Sequence, residues 1–139
     1  AEVYSRHIQI DMIYYSHMYE NEKQKLEEQL GKITVELLTL AVHHPETDEW
    51  EIRFDKDSHS EADDDLISDN AEAAEEAIAT LALLETRYRN IKRAIGKIAN
   101  GTYGICEISG APIESDRLAA NPAARTCKAH LNDEVDLPL

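Results

Sequence analysis

The sequence of 139 residues predicts a mainly α fold: a long antiparallel helical hairpin (coiled coil) followed by a small C-terminal module. Three observations predict it. Two segments carry apolar residues at heptad spacing, and a strongly acidic stretch lies between them. Beyond Gly101 the helical periodicity gives way to turn residues, with Gly104, Gly110, Pro112 and Asn121-Pro122 at short intervals.

The first seam is Leu26, Leu30, Ile33, Leu37 and Leu40; the second is Leu81, Leu84, Tyr88, Ile91, Ile95 and Ile98. Steps of three and four residues alternate along both, the a/d pattern of a coiled coil. Between them stand mostly Glu, Lys, Gln, Arg and Ala, all good helix formers. The first helix is expected from near Tyr14 to Val42, ending ahead of Pro45, because the residue before proline resists the helical conformation. The second is expected to start near Asp69, with Glu72 completing a capping box. It should stop at Asn100-Gly101, where glycine suits the left-handed position after a helix. Neither seam can be buried alone, so the two are expected to zip against each other within one molecule. A helix of about 30 residues gives a rod of roughly 45 Å. Residues 1–14 are ambiguous between helix and strand; Ile8, Met12, Tyr15 and Tyr19 share a helical face and favour a helical extension near the base of the rod.

The charge distribution narrows the function classes. Net charge is −14, and residues 44–76 alone hold fourteen acids against two bases. Nucleic-acid affinity comes mostly from neutralising phosphates, so this balance excludes sequence-specific DNA binding through the acidic middle and points to a basic protein surface or a cation. A solvated acidic loop with no specific role is the alternative. The segment 43–68 is too long for a tight turn and reads as an ordered tip or a mobile loop. Its DKDSHSEADDD run lacks the glycine and alternating ligands of a calcium loop. No apolar run is long enough to span a membrane and no signal-peptide pattern is visible, so a soluble, cytoplasmic chain is expected. Seams that zip within one molecule make a monomer the expected state, five or six seam contacts per helix being short for the alternative, a longer coiled-coil dimer. Two cysteines in such a chain read as metal ligands or free thiols before a disulfide.

The stretch from Gly101 to His130 carries the chemistry. A zinc ribbon sets two sulfur pairs on two tight turns, each C-x2-C followed by a residue able to take a positive φ. Here Cys106 and Cys127 hold the first and third ligand positions, Ser109 stands at the second and His130 at the fourth. The 17 residues between the halves, 110–126, fall in the range that signals a zinc site. This is a zinc-ribbon-like module with three candidate ligands, Cys106, Cys127 and His130, and Ser109 at the position of the missing one. Serine is a poor zinc ligand, because its hydroxyl is hard to deprotonate. Two readings therefore stay open: bound zinc, or a metal-free ribbon held by Tyr103, Ile105, Ile108, Ile113 and Leu118. No carboxylate at motif spacing offers a general base, so a hydrolytic zinc enzyme is not expected.

The string GTYGIC, then G-x-PI, RL-x-A-x-PAA and Cys127, resembles the C-terminal zinc finger of the DksA/TraR family of bacterial RNA polymerase regulators. The match is dense from Asn100 to His130, looser along the second helix, and by architecture alone along the first. The resemblance implies residues 1–100 as a helical hairpin with an acidic tip loop at about 43–70, and residues 101–139 as the DksA/TraR-type finger and C-terminal tail. It implies binding to RNA polymerase through its secondary channel, with the acidic tip near the catalytic magnesium, and no enzymatic activity of the chain itself. The family's tip motif, Asp-x-x-Asp-x-Ala, maps to Asp69, Glu72 and Ala74, with Asp63, Asp64 and Asp65 competing for the role. At the positions where some members bind the alarmone ppGpp, this chain has Asn90, Asn121 and Leu131, none able to neutralise a diphosphate, so little ppGpp response is expected. The alternative function is an interaction or stress-associated protein whose acidic loop binds a different basic protein.

Overall fold

The computed structural model describes residues 13–53 and 64–139, with side chains from residue 71 onward in the second range. The expected extension over residues 1–12, the linker 54–63 with Asp63, and the side chains of Asp64, Asp65 and Asp69 lie outside the described residues. The elements in order are α1 (Glu20–Leu40), β1 (Ala41–His44), β2 (Glu49–Ile52), α2 (Asp64–Asn100), α3 (Ser115–Ala120) and a 3-10 segment, Lys128–Asp136. Residues 13–18 are also helical, with a turn at Tyr19 before α1. The fold is mainly helical, and no described helix is long and apolar enough to cross a membrane.

The seams are legible in the burial. On α1, Leu26, Ile33 and Leu37 are buried while Leu30 and Leu40 are half-buried. On α2, Leu84, Tyr88, Ile91 and Ile98 are buried, and so is Ala94, which takes the inner position beside a half-buried Ile95. The α2 C-terminus closes as the sequence indicated. Gly101 adopts φ 76, the Thr102 N–H reaches Lys97 O at 2.9 Å and the Gly101 N–H reaches Ile98 O at 3.4 Å, the Schellman pattern that satisfies the last carbonyls.

Two expectations are corrected. The first helix ends at Leu40, before Val42, and the region read as a loop opens with a β-hairpin. β1 and β2 pair antiparallel from Ala41 opposite Ile52 to His44 opposite Glu49. Pro45 follows His44 in a turn closed by the Thr47 N–H on His44 O at 3.3 Å, and Asp48 takes φ 57, a left-handed position that Asp tolerates better than most residues. The Arg53 N–H donates to Leu40 O at 2.9 Å, so the ladder captures a carbonyl that the end of α1 leaves unpaired. The second helix starts at Asp64, so Asp69 and Glu72 lie within it, more than a turn past its first residue, and do not form its cap. The acids at 64 and 65 fall where the helix dipole favours negative charge.

The chain divides into two compact units, Ala1–Gly31 with Arg89–Leu139, and Lys32–Tyr88. In the second unit the hairpin is fixed by an aromatic stack. The His43 ring lies on Trp50 with centroids 4.4 Å apart, and Trp50 meets Tyr88 edge-on at 5.6 Å. The Tyr88 hydroxyl donates to Asp48 Oδ1 at 2.7 Å, and His43 Nε2 lies 2.7 Å from the same oxygen. The first unit carries the finger.

Candidate functional site: a two-thiol finger

The finger is built on glycine turns. Gly104 and Gly110 adopt φ 79 and 72, where a Cβ is disfavoured. The Cys106 N–H donates to Ala111 O at 2.8 Å, the Gly110 N–H to Cys106 O at 2.9 Å, and the Ile113 N–H to Gly104 O at 2.7 Å. Ile105 and Pro112 form an isolated antiparallel bridge. The second half turns at Asn121-Pro122: Asn121 Oδ1 accepts from the Ala123 N–H at 3.1 Å. Tyr103, 2% exposed, donates its hydroxyl to Pro122 O at 2.7 Å and meets the Tyr19 ring edge-on at 4.9 Å. Tyr15 donates to Tyr103 O, tying the 13–19 segment to the finger; burial pushes its phenol up to about 12.

Cys106 and Cys127 are both free and buried, and they cluster with Ile113 and the flanking Leu118. The Ser109 N–H points at Cys106 Sγ at 3.5 Å, and Ser109 Oγ lies 3.8 Å from Cys127 Sγ. Burial pushes the Cys106 thiol up, but hydrogen bonds from the Ser109 hydroxyl and from the amides of Ser109, Cys127 and Ile108 outweigh it and bring the thiol down to about 6. The turn after Cys106, with the Gly110 N–H on Cys106 O and the Ser109 N–H directed at the sulfur, keeps the backbone knuckle of a ligand-presenting C-x2 turn. His130 is half-buried with Nδ1 3.2 Å from Asp133 Oδ2. Among the described residues no group of three or more His, Cys, Asp and Glu side chains is placed to hold a metal ion. A structural zinc site needs four such ligands around one point. The structure brings two thiols and a hydroxyl together but does not group His130 with the two thiols among the described residues, so the three expected ligands and Ser109 do not make up such a site.

The apolar lining differs from the sequence expectation at two places. Tyr103 and Ile113 are buried and Leu118 is half-buried, but Ile105 and Ile108 are each 42% exposed. Ile108 falls on the tight turn between Cys106 and Gly110, and the two cysteines, Ala123 and Ala124 take the interior instead.

Sequence reasoning missed the polar half of the module. Arg125, 2% exposed, grips Glu107 with two hydrogen bonds, Nε to Oε2 at 2.6 Å and Nη2 to Oε1 at 3.1 Å. Lys97 Nζ reaches Glu107 Oε2 at 3.0 Å. Burial raises the Glu107 carboxyl, but hydrogen bonds and charge from Arg125 and Lys97 overcome it and hold it at about 2. Glu134 gathers a second set: the Arg117 guanidinium, Thr126 Oγ1 at 3.1 Å and the Arg125 N–H at 2.9 Å. Of the expected tip residues, Glu72 is exposed and Ala74 half-buried on α2.

Residues 101–129 match the family model of the prokaryotic dksA/traR C4-type zinc finger. An uncharacterised protein of Aquifex aeolicus (strain VF5) is 35% identical over 120 residues, covering 86% of this chain and 77% of that protein. The uncharacterised protein YteA of Bacillus subtilis (strain 168) is 45% identical over 47 residues, covering 34% of this chain and 20% of that protein. The chain thus spans about a fifth of YteA's length. A solved structure of transcription factor DksA2 from Pseudomonas aeruginosa is similar at a TM-score of 0.48 and 20% identity, covering 91% of this chain and 84% of that one.

Proposed function

Because the chain belongs to the DksA/TraR zinc-finger family, we propose that it is a transcription regulator that binds RNA polymerase and has no active site of its own. The observation that carries this reading is the finger, whose match over residues 101–129 coincides with an intact knuckle around Cys106. The charge distribution supports it: the acids concentrate between 44 and 76, where a basic protein channel is a better partner than a phosphate backbone.

In the proposed mechanism, α1 and α2 pair through their buried stripes as an antiparallel coiled coil, and the finger anchors its base. The hairpin enters the secondary channel of the polymerase and brings the carboxylates of Asp69 and Glu72, beside Ala74, near the catalytic magnesium, with Asp63, Asp64 and Asp65 as the competing candidates for that role. Magnesium takes oxygen ligands and keeps several waters, so a carboxylate arriving there perturbs the water shell without catalysing a reaction itself. The regulator works in the cytoplasm as a monomer and reads no DNA sequence.

Immobilised full chain is expected to retain core RNA polymerase at low salt and to release it as ionic strength rises. No association at low salt overturns the proposal. Asp69→Ala with Glu72→Ala is expected to keep binding and lose the effect on in vitro transcription. An unchanged effect with binding retained removes these two residues from the tip role.

A further inference from the structure

We propose that the finger of this chain keeps its fold without a resident zinc, closed instead by two carboxylate clamps, Glu107 on Arg125 and Glu134 on Arg117. The first support is the donor set. Position two of the ligand pattern supplies a hydroxyl, and the histidine at position four is not grouped with the two thiols among the described residues. The Ser109 hydroxyl is already engaged, 3.3 Å from the Ala111 N–H and 3.8 Å from Cys127 Sγ. It therefore bridges protein groups in the place where a zinc finger directs a sulfur at an ion.

The second support is what joins the two halves. A structural zinc staples the first turn to the second, and fingers that depend on it unfold when it is removed. Here that connection is made by protein groups. Glu107 lies one residue after Cys106, Arg125 two residues before Cys127, and between them run a bidentate ion pair and a backbone bond, the Glu107 N–H on Arg125 O at 2.9 Å. Glu114 accepts from the Lys128 N–H at 3.0 Å, a further link from first half to second. Glu134 on the 3-10 segment then holds Arg117 of α3, the Thr126 hydroxyl and the Arg125 amide together. Arg125 also donates to Pro138 O at 2.8 Å, so the C-terminal segment is strapped across the module. Charge-assisted bonds are the stronger kind, and the burial of Arg125 and Thr126, 2% and 0% exposed, strengthens them further. The consequence is a finger whose fold is insensitive to zinc supply.

The test uses full chain expressed with added zinc and purified without chelator. Elemental analysis is expected to find below about a tenth of a zinc per chain, and amide exchange at Cys106, Glu107 and Ile113 is expected to stay as slow with a strong chelator as without it. Cys106→Ser with Cys127→Ser is expected to lower the melting midpoint less than Glu134→Gln, which should lower it by roughly 5 °C or more. About one zinc per chain, with loss of finger protection on chelation, overturns the proposal. Unchanged protection in Glu134→Gln overturns the clamp. If that variant fails to fold, the chelation result on the unaltered chain still decides the zinc question.

Discussion

Replacing Glu107 with glutamine is expected to destabilise the finger by about 3–5 kcal/mol, because it leaves the guanidinium of Arg125 buried without its counter-charge. The Arg125 side chain is 3% exposed, and Lys97 and Arg93, 3.0 and 3.7 Å from the same carboxylate, would then face it as like charges. Denaturant unfolding of the variant measures the loss. A cost under about 1 kcal/mol would place the pair among ion pairs of no net weight. Changing both partners to methionine should recover part of the loss, since removing a buried pair together costs less than orphaning one member. The same carboxyl predicts an acid limb. Glu107 is held at about 2 against an ordinary value of 4.5. Above pH 4.5 it is ionised in folded and unfolded chain alike, and the full contribution is present. As pH falls from there, the unfolded chain takes the proton first, so stability declines until about pH 2. The glutamine variant should lack that part of the slope.

Helices and turns were legible in the sequence because each is written locally. The heptad steps through Leu26, Ile33 and Leu37 repeat often enough to survive noise, and Gly101, Gly104 and Gly110 mark three positive-φ positions directly. The two cysteines and Ser109 were likewise placed together by their spacing. The start of α2 differs from the expectation because Asp69 and Glu72 imitate a cap, while the acids at 64 and 65 suit a helix N-terminus through its dipole and not through a capping pattern. The β-hairpin was hidden for a different reason. Its strands are four residues each, His43-His44 carries little strand preference, and the turn depends on Asp48 accepting a left-handed backbone. The clamps had no local signature at all. Glu107 and Arg125 lie 18 positions apart, Arg117 and Glu134 17 apart, and only the fold brings them together.

Trp50→Ala is expected to cost the second unit about 3–5 kcal/mol, the range for emptying a buried large aromatic site. Trp50 is 7% exposed and meets two rings, His43 stacked at 4.4 Å and Tyr88 edge-on at 5.6 Å. Such aromatic contacts add about 0.5–1.5 kcal/mol beyond area burial. Phenylalanine should be far milder. The indole Nε1 is buried with no hydrogen-bond partner among the described residues, so losing it returns a desolvation cost of about 1–3 kcal/mol that offsets the smaller ring. Trp50→Phe is therefore expected to cost less than about 1.5 kcal/mol, and a loss as large as alanine's would show that the indole shape, not apolar burial, holds the hairpin. Tyr88→Phe removes the hydroxyl from Asp48 Oδ1 and should cost about 1.5–3 kcal/mol, the range for a hydrogen bond to a charged group. These changes should also be felt at the end of α1. The Arg53 N–H is spent on Leu40 O, so a hairpin that loosens releases the last carbonyl of the helix. Faster exchange at the Arg53 amide in Trp50→Ala, with the Cys106 and Ile113 amides unchanged, is the expected pattern; equal acceleration at all three would mean that the two units unfold as one.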